Sequence, residues 1–368
     1  MQELRDLGAD IILDVKELQK EKLEVRVMPS LLRLWPNVIQ DIFPSPDVDK
    51  GTSSRFLRRW SFNFFRRIRE EGSIQFLKSI ETDYKSCLYC GAGPGLYDDL
   101  QSLSTSIENM LIISSDTALA PLLNMGIRPH LIISVDSGRG TEYHFSAARQ
   151  ILSKDLLSAI PVLSWLSGPA VLESFFKNII YYPSTFPFDQ FLSEFTSLEI
   201  WDNPSRNTAG LAVRLAFLSG FNHLHTAGAD FRSKNNQSHI RGTGYTYYAL
   251  NKISRTYSLE MYRPGGYSSE LTEKNKLAVS GIENLASDLN IRILPVSEGS
   301  HLEEMRDENP GKLKKYVKFH KENFSRKSFI KFYRENWKKI PFREIFPSNE
   351  RSLLNIEKKL FQLLKNSG

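Results

Sequence analysis

The sequence predicts an α/β protein built on a doubly wound, mostly parallel sheet. Short apolar segments alternate with segments of helical spacing, which is the pattern of strands joined by crossover helices. Glycine or aspartate follows several of the apolar segments closely, as after residues 86–90, 110–114 and 131–135. The carboxyl ends of parallel strands share one edge of the sheet, and ligands bind there. The sequence therefore predicts a cleft for a nucleotide or another phosphorylated ligand at this edge.

The elements follow one another along three predicted regions. Residues 1–82 form a mostly helical N-terminal region interrupted by prolines, residues 83–305 form the α/β nucleotide-binding catalytic core, and residues 306–368 form a basic helical region. Within the core, Gly126 caps a helix over residues 117–125, and Pro129 prevents its continuation. The predicted strands are residues 86–90, 110–114, 131–135, 161–165, 178–182, 223–227 and 291–295. One predicted helix or turn begins at Tyr97, and the other predicted helices span residues 117–125, 169–176, 208–219 and 273–289.

Composition excludes several classes of protein. No run of about 18 uncharged apolar residues occurs, so we expect no transmembrane helix. The first residues lack the basic-then-apolar pattern of a signal peptide, and we expect a cytoplasmic protein. Cys87 and Cys90 lie in one predicted strand with their side chains on opposite faces, and no second pair supplies further ligands. We therefore expect two buried apolar cysteines and no metal site.

The positive charge is concentrated at the C-terminal end. The chain has a net charge of +6, and the segment Gly311 to Gly368 holds 16 Lys or Arg against 5 Asp or Glu, a net +11. A solvated helical face with aromatic residues on its inner side is the favoured interpretation. Nucleic acid is an unlikely partner, and an acidic partner or membrane surface is the main alternative.

A glycine-rich loop follows the first core strand. Gly91, Gly93, Pro94 and Gly95 precede a helix start, where backbone N–H groups can approach a phosphate. The loop is neither a Walker loop nor a G-x-G-x-x-G fingerprint. A tight turn without a ligand is an equal alternative.

Polar residues follow other strands or open a helix. Asp116 follows one strand, and Asp136 and Ser137 follow the next. The two carboxylates could bind ribose hydroxyls or Mg²⁺. Alternatively, Asp116 serves only as a helix cap and Asp136 only as part of an Asx-turn. Asn207 and Thr208 open a helix rich in small residues, either to admit a ligand or as an N-cap.

A long polar loop follows the strand at residues 223–227. It starts with Gly228 and Asp230 and contains His239, an exposed-looking histidine. Loops at strand ends carry active-site residues, and a loop histidine can act as a general base near neutral pH. A histidine without a catalytic role remains the alternative.

These motifs together resemble a known family. Residues 90–96 (CGAGPGL) resemble its G-x-G-P-S-L loop, residues 114–119 (SSDTAL) its A-D-T-A-L segment, and residues 126–136 (GIRPHLIISVD) its G-I-x-P-D … S-I-D run. Residues 228–242 are similar to its G-Q-D-L … S-H-x-x-G loop, and residues 295–299 (PVSEG), with Glu298, to its N-x-x-E-G-G element. The family is that of the motility accessory factor glycosyltransferases and the archaeal 6-hydroxymethylpterin pyrophosphokinases (MptE-like).

The resemblance implies a Rossmann-like sheet similar to that of bacterial sialyltransferases. It implies a transferase that moves a nonulosonic sugar from a CMP-activated donor to Ser or Thr of a protein such as flagellin. The catalytic residues would be His239 and Asp230. His239 would either deprotonate the acceptor hydroxyl or protonate the leaving phosphate, and Asp230 would position the loop or raise the basicity of the histidine. The donor site would be formed by Gly91, Gly93, Pro94, Gly95, Asp116, Asp136, Ser137, Asn207, Thr208, Gly228 and Glu298.

Two other interpretations stay open. A pyrophosphokinase would move pyrophosphate from ATP to 6-hydroxymethylpterin with Mg²⁺, whereas the glycosyltransferase has no obligatory cofactor. A third interpretation is a nucleotide-binding protein without catalytic activity.

Overall fold

The computed structural model of the protein describes residues 48–69, 72–103, 106–138, 140–186, 188–189, 196, 198–203, 207–232, 238–250, 273–298 and 315–336. The chain divides into two units, Met1–Lys50 and Gly51–Gly368. The sheet and the candidate site lie in the second unit.

A nine-stranded sheet forms the centre of this unit. Its strands are β1 Ser73–Thr82, β2 Ser86–Cys90, β3 Met110–Ser115, β4 Leu131–Ile133, β5 Val162–Ser164, β6 Ile179–Tyr181, β7 His223–Ala227, β8 Arg292–Pro295 and β9 Val317–Ser325. They are arranged in the order β8-β7-β2-β3-β4-β5-β6-β1-β9. All neighbours pair in parallel except β1 and β9, which are antiparallel. This confirms the predicted α/β class and its mostly parallel sheet.

Helices connect the strands. They are α1 Val48–Arg69, α2 Leu96–Ser102, α3 Asp116–Asn124, α4 Gly140–Ile151, α5 Lys154–Ser158, α6 Leu172–Phe175, α7 Thr208–Leu218, α8 Gly244–Leu250, α9 Glu273–Asp288 and α10 Arg326–Asn336. None of the helices in the described ranges is long and apolar enough to cross a membrane.

Alternating strand residues divide the core between the two faces of the sheet. Cys87 packs into the cluster that includes α7 and α10, whereas Cys90 packs into the cluster of α2 and α3 on the other face. Both cysteines are free thiols, fully buried, and burial raises the pKa of each. The expectation of two buried apolar cysteines on opposite faces is therefore confirmed.

The strand order creates one topological switch point. From β2 the chain winds outward through β3, β4, β5 and β6, and β7 then returns to the other side of β2. Ligands of open α/β sheets bind at such a point, outside the carboxyl ends of the strands. Here the switch point lies between the loop after β2 and the loop after β7.

Two strands lie where the sequence predicted helical regions. β1 belongs to the N-terminal region and β9 to the basic C-terminal region, and the two pair along their lengths with a bulge between Leu77 and Ser79. Phe329 and Tyr333 of α10 are fully buried in the core. The described part of the basic segment is therefore a structural component of the sheet, while the three predicted region boundaries remain predictions.

Candidate functional site

The glycine loop after β2 and the loop after β7 touch through their backbones at the switch point. Gly91 N–H donates to the carbonyl of Ala227 (2.9 Å), and Gly93 N–H donates to that of Gly228 (2.7 Å). A Cβ atom on Gly91 would lie 2.4 Å from the Gly228 carbonyl oxygen, which is closer than any real Cβ contact. Glycine is therefore required here because another backbone occupies the space that a side chain needs.

Asp230 places its carboxylate on the glycine loop. Its Oδ2 atom accepts a hydrogen bond from Gly95 N–H (2.9 Å) and lies 2.1 Å from the position of a Cβ on Gly93. On the other side of the contact, buried Asp99 accepts a hydrogen bond from Gly228 N–H (2.8 Å). The place that the sequence assigned to a donor phosphate is filled by a carboxylate of the protein, so a phosphate binds there only when Asp230 moves aside.

Asp116 forms a buried polar network at the ends of β3 and β4. Its Oδ2 accepts a hydrogen bond from the Ser134 hydroxyl (2.7 Å), and its Oδ1 accepts one from Thr117 (3.1 Å). Burial raises the pKa of Asp116, and these two hydrogen bonds oppose that rise. The N-cap of α3 is Ser115, whose hydroxyl accepts from Ala118 N–H (3.2 Å), so Asp116 is not the helix cap.

Asp136 is exposed at the end of β4 and forms an Asx-turn. Its Oδ1 accepts from Gly138 N–H (2.8 Å), and its carbonyl accepts from the Thr141 hydroxyl (2.6 Å). The neighbouring Ser137 is buried and donates to the Ser167 carbonyl (2.7 Å). Ser137 therefore ties two loops together, and the Asp136 carboxylate is the group of this turn that faces solvent.

The start of α7 lies close to the end of β2. Asn207 caps the helix by accepting a hydrogen bond from Gly210 N–H (3.1 Å). The Thr208 hydroxyl is 2.7 Å from the hydroxyl of buried Tyr89, whose pKa is raised chiefly by burial. The N-cap role of Asn207 is thus present, and Tyr89 connects Thr208 to the strand that carries the glycine loop.

His239 is half-buried rather than exposed. Its Nδ1 lies 3.0 Å from the Ser238 hydroxyl, and its ring centroid lies 4.9 Å from that of Tyr245. The next residue, Ile240, donates its N–H to the Ala92 carbonyl (2.9 Å), which holds the histidine loop against the glycine loop. Desolvation, with a smaller contribution from His144, lowers the pKa of His239 to about 4, so its imidazole is neutral near pH 7.

The structure adds two residues that the sequence analysis did not select. Buried His144 on α4 stacks edge-on against Tyr245 of α8, with centroids 4.7 Å apart, and its Nε2 lies 3.4 Å from the Thr117 hydroxyl. Burial raises the pKa of Tyr245, and Asp116 and Asp136 raise it further. His144 and Tyr245 are 101 positions apart, so no local spacing marked them; only the packing of α8 on α4 brings them together.

The predicted residues therefore form two groups. The glycine loop, Gly228 and Asp230 make one contact at the switch point, and His239 joins it through Ile240. Asp116 and Asp136 belong to a second group with His144 and Tyr245. Glu298 ends a 3₁₀ turn directly after β8, and Pro94 is half-exposed in the glycine loop.

Within the described ranges, no three His, Cys, Asp or Glu side chains gather as ligands of a metal ion. Asp116 already accepts hydrogen bonds on both oxygens, and Asp136 accepts one on Oδ1. A cavity of about 390 Å³ lies near the opposite edge of the sheet, before β4 and β5, and its lining is Arg128, Pro129, His130, Ala159, Ile160 and Pro161.

One family model matches the central part of the chain. Residues 62–236 match the family model described as 6-hydroxymethylpterin diphosphokinase MptE-like. This segment is MptE-like. The match confirms the family that the motifs indicated, and the MptE-like segment contains the glycine loop, Asp116, Asp136, Asn207 and Asp230, while His239 lies beyond its end.

Two further similarities are partial. An uncharacterized protein of Treponema pallidum (strain Nichols) is 32% identical over 95 residues, which is 25% of this chain and 34% of that protein. The solved structure of the Maf glycosyltransferase from Magnetospirillum magneticum AMB-1 aligns with a TM-score of 0.49 at 15% identity, over 74% of this chain and 43% of that chain. The chain thus spans about a third of the length of this curated relative and less than half of the Maf protein.

Proposed function

We propose that the protein is a glycosyltransferase that moves a nonulosonic sugar from a CMP-activated donor to a Ser or Thr hydroxyl of a protein. The observation that carries the proposal is the half-buried position of His239 between the glycine loop and Tyr245, where desolvation lowers the pKa of the imidazole to about 4. A neutral imidazole has a lone pair for the proton of a hydroxyl, whereas its remaining N–H is too weak an acid to protonate a leaving phosphate. Of the two roles that the sequence left open for His239, we infer the general base.

The proposed reaction uses one proton and one displacement. The acceptor oxygen attacks the anomeric carbon of the sugar, its proton passes to His239, and the bond from that carbon to the phosphate oxygen breaks, so that CMP leaves with the electron pair. In the tautomer that this step requires, Nδ1–H donates to the Ser238 hydroxyl and Nε2 accepts the proton. Direct displacement inverts the configuration at the anomeric carbon.

The donor would bind along the carboxyl edge of the sheet. In this proposal the exposed Asp136 carboxylate accepts hydrogen bonds from ribose or sugar hydroxyls, while buried Asp116 holds the strand ends in place. Asn207 and Thr208 at the start of α7 would lie beside the donor, together with Glu298. Phosphate contact with the glycine loop requires Asp230 to leave Gly95, so Asp230 would be the residue that positions this loop.

The acceptor is proposed by chemical class. A Ser or Thr hydroxyl of a protein satisfies the chemistry of the step, and flagellin is the acceptor that the motif resemblance suggests. The proposal includes a cytoplasmic location, where CMP-activated sugars would be available to the enzyme.

A pyrophosphokinase is the second candidate, and the family match favours it. The matching family is described by 6-hydroxymethylpterin diphosphokinase activity. The hydroxyl of a pterin alcohol could also give its proton to His239, so the same residue serves either reaction. Mg²⁺ would neutralise the ATP phosphates in this second reaction.

Ligand binding distinguishes these functions. We would measure CMP, CDP, ATP and 6-hydroxymethylpterin by thermal shift and calorimetry, each with and without Mg²⁺. Binding of CMP independent of Mg²⁺ supports the glycosyltransferase, and Mg²⁺-dependent binding of ATP with the pterin supports the pyrophosphokinase. Absence of binding by every nucleotide contradicts both functions.

A matched pair of variants tests whether bound nucleotide lies at the proposed edge. Asp136→Ala removes an exposed carboxylate at the edge and should weaken CMP binding, whereas Asp155→Ala removes the 90%-exposed carboxylate of Asp155 on α5, outside the proposed site. Equal affinities in the two variants would place the nucleotide elsewhere. Release of CMP from a CMP-nonulosonic sugar in the presence of a Ser/Thr peptide then measures the transfer itself.

A further inference from the structure

Two histidines face one tyrosine ring in the candidate site. The Tyr245 ring lies 4.7 Å from the ring of His144 and 4.9 Å from that of His239, measured between centroids. His144 comes from α4, Tyr245 from α8, and His239 from the loop before α8. Three separate parts of the chain therefore bring two imidazoles into contact with a single aromatic ring.

The position of His144 is set by close packing. Its side chain is 3% exposed, its Nε2 contacts Thr117, and Thr117 in turn donates to Asp116. A Cβ atom on Gly244 would lie 2.3 Å from the backbone nitrogen and 2.6 Å from the Nδ1 atom of His144. The Nδ1 atom has no hydrogen-bond partner among the described residues. His144 therefore has little freedom to turn away from Tyr245.

We propose that His144 is a positioning residue for His239, and that the two imidazoles, both packed against the Tyr245 ring, form one unit that holds at most one proton. The proposal rests on the proposed function, because it specifies how the base of that reaction is kept in its unprotonated form. His144 acts through His239 and does not itself touch the reacting atoms.

The charges around the unit explain why one proton is the limit. The pKa of each histidine is lowered to about 4, chiefly by desolvation, and the charge of His144 is a smaller cause of the lowering at His239. Asp136 raises the pKa of His144, Asp116 contacts it only through Thr117, and the pKa of Tyr245 is raised, so its phenol stays neutral. A second proton would place two like charges on two imidazoles that contact the same ring in a poorly hydrated site.

The consequence for the reaction is that donor binding precedes effective base catalysis by His239. Without donor, the unit stays neutral, and His239 keeps the lone pair that accepts the acceptor proton. A bound anionic donor offsets the desolvation and raises the affinity of the unit for a proton, since an opposite charge nearby favours the charged imidazolium. His239 would thus become an effective base when the donor is present.

NMR titration of the imidazole resonances tests the proposal without any ligand. In the full-length wild type we expect the resonances of His144 and His239 to shift with one common midpoint, because a single proton is shared between the two rings. In His144→Gln, which keeps a polar side chain but cannot hold the proton, the titration midpoint of His239 should move to higher pH. The matched control is His130→Gln, because His130 is also largely buried with a pKa lowered to about 4 but lies beside Tyr84 near the opposite edge.

The outcomes separate this inference from the proposed function. An unchanged His239 midpoint in folded His144→Gln, or two different midpoints for the two rings in the wild type, overturns the coupling. The second result decides even when the variant does not fold. A parallel titration with saturating CMP should shift the His239 midpoint of the wild type upward. A common midpoint in a protein that does not bind CMP would support the histidine unit while contradicting the glycosyltransferase.

Discussion

The contact between Gly95 and Asp230 gives a prediction that can be calculated from the structure. A Cβ atom on Gly95 would lie 2.7 Å from Oδ1 and 3.3 Å from Oδ2 of Asp230, the carboxylate that accepts the Gly95 N–H hydrogen bond. Gly95→Ala should therefore displace the Asp230 side chain and break this bond. The backbone of Gly95 itself tolerates alanine, because its φ of −80° lies in the right-handed helical region.

The expected magnitude follows from the lost bond. A hydrogen bond to a charged group contributes about 1.5–3 kcal/mol to stability. Replacing glycine by alanine at an unstrained position stabilises the protein by about 0.4–1 kcal/mol, because it lowers the conformational entropy of the unfolded chain. Gly95→Ala should thus cost about 0.5–2.6 kcal/mol of unfolding free energy in the wild type. In an Asp230→Ala background the bond is already absent, and the same substitution should be neutral or stabilising by up to about 1 kcal/mol.

The assay is a double-mutant cycle measured by urea unfolding, with tryptophan fluorescence as the signal. Gly93→Ala is the internal control, because its Cβ would also lie 2.6 Å from the Gly228 carbonyl, which Asp230→Ala does not remove. Gly93→Ala should therefore remain destabilising in both backgrounds. The reasoning is refuted if Gly95→Ala costs the same with and without the Asp230 carboxylate.

Four further predictions concern the base, its pH dependence and the core. His239→Ala should lower kcat by roughly 10²–10⁴-fold with little change in CMP affinity measured by calorimetry, because a base acts on the chemical step. Near-wild-type turnover of this variant on an intact acceptor would mean that another residue is the base. The acidic limb of the kcat/KM profile should lie near pH 4, where His239 protonates, and a limb near 6.5 contradicts this. Burial raises the pKa of Asp189 to about 7, so its contribution to stability is present at low pH and is lost as pH rises from about 4 through 7. The urea midpoint of Asp189→Asn should therefore rise relative to that of the wild type over this pH range. Parallel curves of urea midpoint against pH for the two proteins would contradict the burial argument. Phe329→Ala should cost about 3–5 kcal/mol of unfolding free energy, since Phe329 is fully buried, whereas Phe62→Ala, at a side chain 55% exposed, should cost much less; similar losses would mean that α10 is not part of the core.

The strands of the parallel core could be predicted because their signals are local. Residues 86–90 and 223–227 have the predicted limits, and the other predicted strands lie within one or two residues of their observed ends. Buried parallel strands are short continuous apolar runs, and the residues that stop them are glycines, prolines and aspartates. The shared edge followed from parallel pairing alone, since all carboxyl ends then lie on one side.

The pairing of β1 with β9 could not be predicted in the same way. An edge strand exposes much of its surface, and Val317–Ser325 mixes lysines with aromatic residues, so its pattern also fits a basic helix. Its partner β1 lies more than 230 residues earlier in the chain. Such a pairing is decided by tertiary contacts, and deletion of the basic segment therefore removes a strand of the sheet as well as positive charge.

The sequence by itself determined the α/β class, the MptE-like motifs and the edge of the sheet where polar residues gather, because each depends on neighbouring positions in the chain. Only the tertiary structure decided what those residues touch. It showed that the glycines of the loop after β2 leave room for the backbone of Gly228 and the carboxylate of Asp230. It also showed that His239 is desolvated beside Tyr245, which in turn contacts buried His144. The physical reason is that close approach and desolvation arise between segments distant in the sequence, whereas turns, caps and strand ends are set by their own few residues.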